Sequence, residues 1–332
     1  MTQLVVDIIR SLVWIVALMT AMAYMTLFER RVISVLQLRI GPNRVGPNGF
    51  LQPLADALKL FFKEDIRPAH ADRLLYPLAP AISLVAALAA FAVIPIGPTL
   101  QLGSVTLPLQ IADLPVGLVY LVAASSIGVY GVVLGGWSSG SKYSLLGSLR
   151  GGAQVVSYEL VLGLALVGVA LVSGTLSIGQ IVQGQAQLVP YVFLQPVGFL
   201  LYFTAAVAET NRAPFDLPEA EQELVAGYHT EYSGFRFAMY FIAEYVNLIT
   251  VSAVASTLFF GGWIGPIFSG PWWLLIKMVI FAFIFVWLRA TLPRLRYDQL
   301  MRLSWGALLP LGLLNVLVTA ILVVALSGSG AR

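Results

Sequence analysis

Residues 154–173 read QVVSYELVLGLALVGVALVS, an apolar run with a single charged side chain, Glu159. At roughly 1.5 Å of rise per residue, a helix of this length spans the ~30 Å hydrocarbon core of a bilayer. Lipid offers the backbone no hydrogen-bond partners, so a run of this kind crosses as a helix. Working outward, comparable runs predict spans near residues 8–29, 74–96, 114–135, 154–173, 189–208, 237–260, 272–292 and 304–326. Composition agrees: 59% of residues are hydrophobic, 11% are charged and the mean hydropathy is +0.88. The expectation is an all-α polytopic membrane protein with about eight transmembrane helices in a single transmembrane domain over residues 1–332, without internal repeats or low-complexity tracts.

In a soluble protein, a net charge of +3 and a pI near 9.1 would raise the possibility of nucleic-acid binding; here the cations are sorted by loop instead. Arg30, Arg31, Arg39, Arg44, Lys59, Lys63, Arg67 and Arg73 follow the first span, and Lys142, Arg150, Arg212, Arg236, Arg294, Arg296 and Arg302 occupy later alternate loops. Residues 97–113, 174–188 and 261–271 hold no Lys or Arg. The positive-inside rule therefore makes the cation-bearing loops cytoplasmic and leaves both termini on the outer, periplasmic side. The first span runs straight into FERR without a small-residue cleavage motif, so it reads as a retained helix and the mature chain as starting near Met1. Without cysteine, the chain forms no disulfide, cysteine-ligated zinc site or iron–sulfur cluster, and any electron carrier belongs to a partner.

The longest polar stretch, the first cytoplasmic loop, has a helical pattern of its own. Leu51, Leu54, Leu58, Phe61 and Phe62 recur at helical spacing with Pro53 in the first turn, which predicts a short amphipathic helix over 51–62 lying in the interface. Before it, LRIGPNRVGPNG contains two Gly-Pro-Asn turns that hold Arg39 and Arg44 near the membrane surface. It matches neither a phosphate loop nor a dinucleotide fingerprint.

Residues 209–232, ETNRAPFDLPEAEQELVAGYHTEY, set six carboxylates (Glu209, Asp216, Glu219, Glu221, Glu223, Glu231) against one arginine and one histidine. A plain cytoplasmic connector between spans would carry Lys and Arg, not acids that repel one another. Spacings of three and four predict Asp216, Glu219 and Glu223 on one helical face, with Pro218 at the helix start and Glu221 displaced. Acids also favour an ordinary helix N-terminus through its dipole, but this leaves Glu209 and Glu231 unexplained. Within or at the edges of spans lie Glu159, Glu209 and Glu244; an acid near the bilayer centre costs about 2.5–3.5 kcal/mol on insertion scales, so each should face protein or water. Hydrogen bonding to Tyr158, Tyr245 or Asn247 is the plain structural reading, and proton relay the functional one. His229 is read as a hydrogen-bonding loop residue, and no metal site is expected. Arg289, deepest of the cations near the end of the seventh span, is expected to pair with an acid of the 209–232 segment, and Lys277 to snorkel to the outer interface.

The stretches FERRVISVLQLRIGPNRVGPNGFLQPLADALKLFFKED, GWSSGSKYSLLGSLR, QVVSYELVLGLAL, AETNRAPFDLPEAEQELVAGYHTEYS and LRATLPRLRYDQLM, in this order from about Glu29 to Met301, closely resemble the quinone-site membrane subunits of respiratory complex I, the H subunits in bacteria. The resemblance implies a proton-translocating NADH:quinone oxidoreductase of the cell inner membrane. It implies quinone (ubiquinone or menaquinone) as substrate, no covalently bound cofactor, and FMN and iron–sulfur clusters only in partner subunits. Implied partners are the soluble quinone-site and iron–sulfur subunits on the cytoplasmic side, small membrane subunits laterally, and membrane lipid, with no nucleic acid. For the quinone chamber it points to Arg30, Arg39, Arg44, Asp56, Tyr228, Arg289 and Arg294. For proton coupling it points to Asp216, Glu219, Glu221, Glu223 and Glu231 as sensors of the quinone state, and to Glu209, Glu159 and Glu244 as carriers of charge towards neighbouring subunits. Some bacterial relatives carry an acid in the third span where this chain reads SSIGVYG, with Ser125 and Ser126. A self-contained secondary transporter would also account for the intramembrane acids, and a passive scaffold only for the anchoring cations.

Overall fold

The structure is a computed structural model that describes residues 2–102, 105–187, 189–219 and 221–328. Its helices are α1 (Thr2–Leu36), α2 (Gln52–Phe62), α3 (Leu75–Phe91), α4 (Gly117–Ser138), α5 (Lys142–Ser173), α6 (Ile178–Gln187) and α7 (Tyr191–Leu194). They continue as α8 (Pro196–Glu209), α9 (Glu221–Leu224), α10 (Gly234–Phe259), α11 (Pro271–Thr291), α12 (Tyr297–Leu303) and α13 (Leu309–Gly328), the last two joined by a π-helical turn over Ser304–Leu308. Among the described residues, six helical stretches are long and apolar enough to cross a membrane: Asp7–Leu36, Gly117–Ser138, Lys142–Ser173, Gly234–Phe259, Pro271–Thr291 and Tyr297–Leu326. The chain is a multi-pass membrane protein.

Two of the predicted spans fall on shorter helices. The run 74–96 is α3, and 189–208 breaks at Gln195 into α7 and α8, the latter only about 21 Å long at 1.5 Å per residue. Conversely, α5 starts at Lys142 and not near 154, so Lys142 and Arg150 sit on a helix that projects past the apolar run. The stretch predicted as a short amphipathic helix, 51–62, is helical as α2. A short antiparallel pair, Leu100–Leu102 with Val105–Leu107, lies in the loop after α3.

α5 and α10 form the centre. Tyr158, Val161, Ala165 and Val169 of α5 and Val246, Ala253 and Leu258 of α10 are fully buried. With no hydrophobic drive between helices in lipid, close packing relies on small residues. A Cβ on Gly136 of α4 would lie 2.3 Å from the Ser144 carbonyl of α5, so only glycine allows this crossing. At the π-helical turn, Ser304 Oγ and Trp305 Nε1 donate to the Ser157 carbonyl and hydroxyl of α5 at 3.2 and 3.1 Å, which docks α13.

Lys277 of α11 reaches to the end of α10 and the loop that follows it. Its Nζ donates to the carbonyls of Phe260, Gly262 and Ile264 at 2.6, 2.8 and 2.8 Å, because the end of α10 leaves carbonyls that need donors and favours a cation there. Replacing it, K277M, is expected to destabilise the protein by about 3 kcal/mol through the unpaired carbonyls. A lowered melting midpoint of the purified assembly would report this, and an unchanged midpoint contradicts the capping role.

Candidate functional site: a buried charge cluster between two cavities

The segment after α8 folds as a succession of turns. The buried Gln154 of α5 fixes it: its Nε2 donates to the Ala208 and Phe215 carbonyls at 2.8 and 2.6 Å. The Tyr228 N–H donates to the Pro218 carbonyl at 3.3 Å, an approach possible because residue 227 is glycine with φ +58; a Cβ there would lie 1.7 Å from that oxygen. The Phe215 and Pro218 carbonyls are engaged outside any helix, the single helical face expected for Asp216, Glu219 and Glu223 does not form, and the helix near Pro218 is only α9.

The turns carry Arg212 into the protein interior. Its side chain is only 6% exposed and its guanidinium binds two carboxylates, Glu244 of α10 through Nε at 2.6 Å and Glu29 of α1 through Nη1 at 3.2 Å. It also lies 4.6 Å over the Tyr245 ring. Glu29 is bound a second time, by Arg289 of α11. Burial works against the Arg212 charge, but Glu244 and Glu29 outweigh it and hold the guanidinium above its ordinary range. The buried Glu29 and Arg212 thus balance each other, with Glu244 and the partly exposed Arg289 completing the cluster.

A cavity of about 350 Å³ opens against this cluster. Glu29 and Arg30 line it from α1, Glu219, Tyr228 and His229 from the turn segment, and Phe237, Phe241 and Glu244 from α10. It shares Arg30, Phe237 and Phe241 with an apolar groove of about 550 Å³ walled by Met19 and Met22 of α1, Leu54, Ala57 and Phe61 of α2, and Ile242 of α10. At the groove's edge Arg30 pairs with Asp56 at 2.7 Å. On its inner side the chamber shares Glu219, Tyr228, Tyr240 and Glu244 with a cavity of about 50 Å³ that also takes in Glu209, Ser125 and Asn247.

The remaining candidates are dispersed. Asp216 acts electrostatically on Glu219 and Glu244. Glu159 accepts a hydrogen bond from Ser126. Glu223 is 51% exposed and pairs with Arg150 at 2.6 Å. Glu231 gives its backbone carbonyl to Tyr76 Oη at 2.6 Å and lines neither the chamber nor the inner cavity. The side chain of Glu221 lies outside the described part. Arg39 and Arg44 line a surface pocket of about 520 Å³ with Gln52, which adjoins the chamber and the groove at Arg30. Two guanidinium nitrogens of Arg294 are buried without a hydrogen-bond partner among the described residues. Arg289 pairs with Glu29, not with an acid of the 209–232 segment, because Arg212 already occupies the position facing Glu244 and Glu29 remains open to a second cation.

Glu29, Arg212 and Gln154 did not stand out in the sequence. Glu29 looks like part of a boundary motif and Arg212 like one more cytoplasmic cation. The available signal was Arg212 itself, the sole arginine among six carboxylates.

Burial first, then Glu244 and Asp216, push Glu219 well above the usual carboxylate range, against the pull of Arg212 and Arg289. Burial pushes His229 down to about 4. Its Nδ1 lies 3.9 Å from Glu219, which would suit an ion pair, but that is beyond hydrogen-bond distance and the desolvated imidazole stays neutral.

The fold and site define a class: a polytopic helical membrane protein in which an apolar groove adjoins a charged interior chamber. Comparison with known proteins gives the family. The chain belongs to the NADH dehydrogenase family, which it matches over residues 9–320. It is 56% identical over 338 residues to the H subunit of the NADH-quinone oxidoreductase of Thermomicrobium roseum, covering 99% of this chain and 98% of the relative. Likeness to the same-named protein of Syntrophotalea carbinolica is 55% over 91% of each chain, and to an H subunit of the Geobacter metallireducens oxidoreductase 51% over 97% of each.

Between about pH 6.5 and 4, an unfolded histidine takes up a proton that the folded His229 refuses. The stability present above pH 6.5 is therefore lost as pH falls towards 4, by about 3 kcal/mol at most. Glu219 acts oppositely, favouring the folded state below its unfolded value near 4.5 and losing that contribution as pH rises. H229N should flatten the acid limb of the melting midpoint against pH without altering the opposing trend. Identical acid limbs for the two proteins overturn the buried, neutral histidine.

Proposed function

We propose that this chain is the H subunit of a proton-pumping NADH-quinone oxidoreductase, where it provides the lipid-side quinone chamber and couples quinone reduction to proton movement. The observation that carries the proposal is continuity: the apolar groove shares Arg30, Phe237 and Phe241 with the charged chamber, and the chamber shares Glu219, Tyr228 and Glu244 with the inner cavity. An isoprenoid quinone needs these surroundings in this order, oil for its tail and polar groups for its headgroup. The chain has no cysteine for an iron–sulfur cluster, so electrons come from partner subunits that hold FMN and iron–sulfur clusters. Those soluble subunits dock over the cytoplasmic surface carrying Arg39 and Arg44, and small membrane subunits lie laterally. The chain sits in the inner membrane as one transmembrane unit with both termini on the periplasmic side.

Forming a quinol from ubiquinone or menaquinone consumes two protons. Glu219 faces the chamber and strongly favours its protonated form, so withdrawal of protons there shifts charge against Glu244 and the Arg212 and Glu29 pair. The imbalance is relieved through the inner cavity towards Glu209 and Glu159. Arg212 and Arg289 hold the fixed charges in place while this happens.

Filling the groove tests the route, and neutralising Glu219 tests the coupling. In the assembled oxidoreductase, A57W is expected to raise KM for a long-tailed quinone about tenfold, the effect of losing about 1.4 kcal/mol of tail contact, while a short-tailed analogue is little changed. E219Q should lower NADH-driven proton translocation with the same short-tailed quinone at least about tenfold. Equal KM effects on both quinones would remove the groove from the route, and full translocation by E219Q would end the coupling role.

A further inference from the structure

The inner cavity ends at two adjacent serines of α4. Ser125 Oγ donates to the Val122 carbonyl at 3.0 Å and lines the inner cavity together with Glu209. Ser126 Oγ lies 2.8 Å from the same carbonyl and also within reach of Glu159 Oε1, so its one hydrogen can go to either. Glu209 and Glu159 come from different helices, α8 and α5, and are close enough to repel each other. Each therefore meets a hydroxyl of α4, and both hydroxyls share one backbone acceptor.

We infer that Ser125 and Ser126 form a hydroxyl link through which a proton passes between Glu209 and Glu159, with the Val122 carbonyl as their common resting acceptor. The link rests on the proton-coupling role proposed above. A hydroxyl carries one hydrogen and two lone pairs, so it can satisfy a carboxyl in either protonation state. Beside an ionised Glu159, Ser126 donates to it. Beside a protonated Glu159 the carboxyl becomes the donor, the serine oxygen accepts, and the serine hydrogen turns to Val122. No polar atom is stranded in either state, which avoids the desolvation cost of about 1–3 kcal/mol that an unpaired buried group carries. In transit Glu209 gives its proton to the Ser125 oxygen, Ser125 turns from the Val122 carbonyl and gives its own hydrogen to the Ser126 oxygen, and Ser126 gives its hydrogen to Glu159, after which both hydroxyls turn back to the carbonyl. No electron moves and both serines end as they began. A carboxylate at either position would set a third acid beside two that already repel, whereas a hydroxyl offers the same hydrogen-bonding reversibility without charge.

Both serines carry the proton through their hydroxyls, so the test must separate hydroxyl from volume. Threonine and valine have nearly the same shape, and S125T, S125V, S126T and S126V would each be made in the intact oxidoreductase in sealed vesicles, alongside E209Q and E159Q. The readout is NADH-driven proton translocation with quinone, normalised to NADH oxidation by a hydrophilic acceptor in the same vesicles. Valine at either position is expected to lower the ratio at least about tenfold, and threonine to stay within about twofold of the parent protein. Equal values for threonine and valine, whether both retained or both lost, overturn the link. If E209Q and E159Q lower the ratio while valine and threonine agree, only the link falls. If those two variants leave it intact, the proton-coupling reading falls with it.

Discussion

The architecture depends on one cluster of charges kept out of water. Arg212 joins Glu29 and Glu244, and Arg289 joins Glu29 again, so four segments distant in sequence meet at one point: α1, the turn after α8, α10 and α11. A lone ion in this position would cost several kcal/mol in desolvation, and deleting one member of a buried pair typically costs about 3–5 kcal/mol because its partner is stranded. The cluster is therefore poor as a source of stability and strong as a constraint on geometry. It holds the chamber walls at a fixed separation, since any drift of α1 from α10 would separate Glu29 and Glu244 from the guanidinium they share.

Gln154 and Gly227 give that constraint its precision. Arg212 sits on a stretch without regular structure, and such a stretch would not place a guanidinium unless its own carbonyls were held. The Gln154 amide takes two of them from the buried face of α5, and Tyr228 takes the Pro218 carbonyl through the gap that Gly227 leaves. A core helix thus positions the loop, the loop positions the charge, and the charge positions the cavity.

What could be read in the sequence follows from how local each cause is. The apolar run of α5 and the interfacial pattern of α2 were legible because burial in lipid and helical periodicity act within a few turns. The early start of α5 at Lys142 and the break at Gln195 were not, because both are decided by neighbouring helices. The acidic stretch 209–232 was legible as the unusual segment, but its shape was misread: acids at helical spacing suggested one face, while Gln154, far away in sequence, had claimed the carbonyls. For the same reason Glu29 and Arg289 could not be matched in advance, being 260 positions apart.

The division of labour among the acids follows from which of them are neutralised. Glu29 and Glu244 are held by Arg212 and Arg289, and Glu223 by Arg150, so their charges are largely spoken for. Glu219 has no guanidinium in ion-pair distance among the described residues; its nearest recorded basic neighbour is His229, which burial keeps neutral. It is also one of the few side chains that line the chamber and the inner cavity together. Under the proposed coupling, a mostly buried acid without a guanidinium in ion-pair distance and shared by both spaces is the one to respond first when protons are drawn from the chamber. Once it loses its proton, the new charge adds to those of Glu244 and Asp216 beside it. Two fixed arginines cannot cancel the addition by moving, since each is already committed to Glu29. Under the proposed coupling, a proton arriving through the inner cavity that Glu219 shares with Glu209 would carry the response.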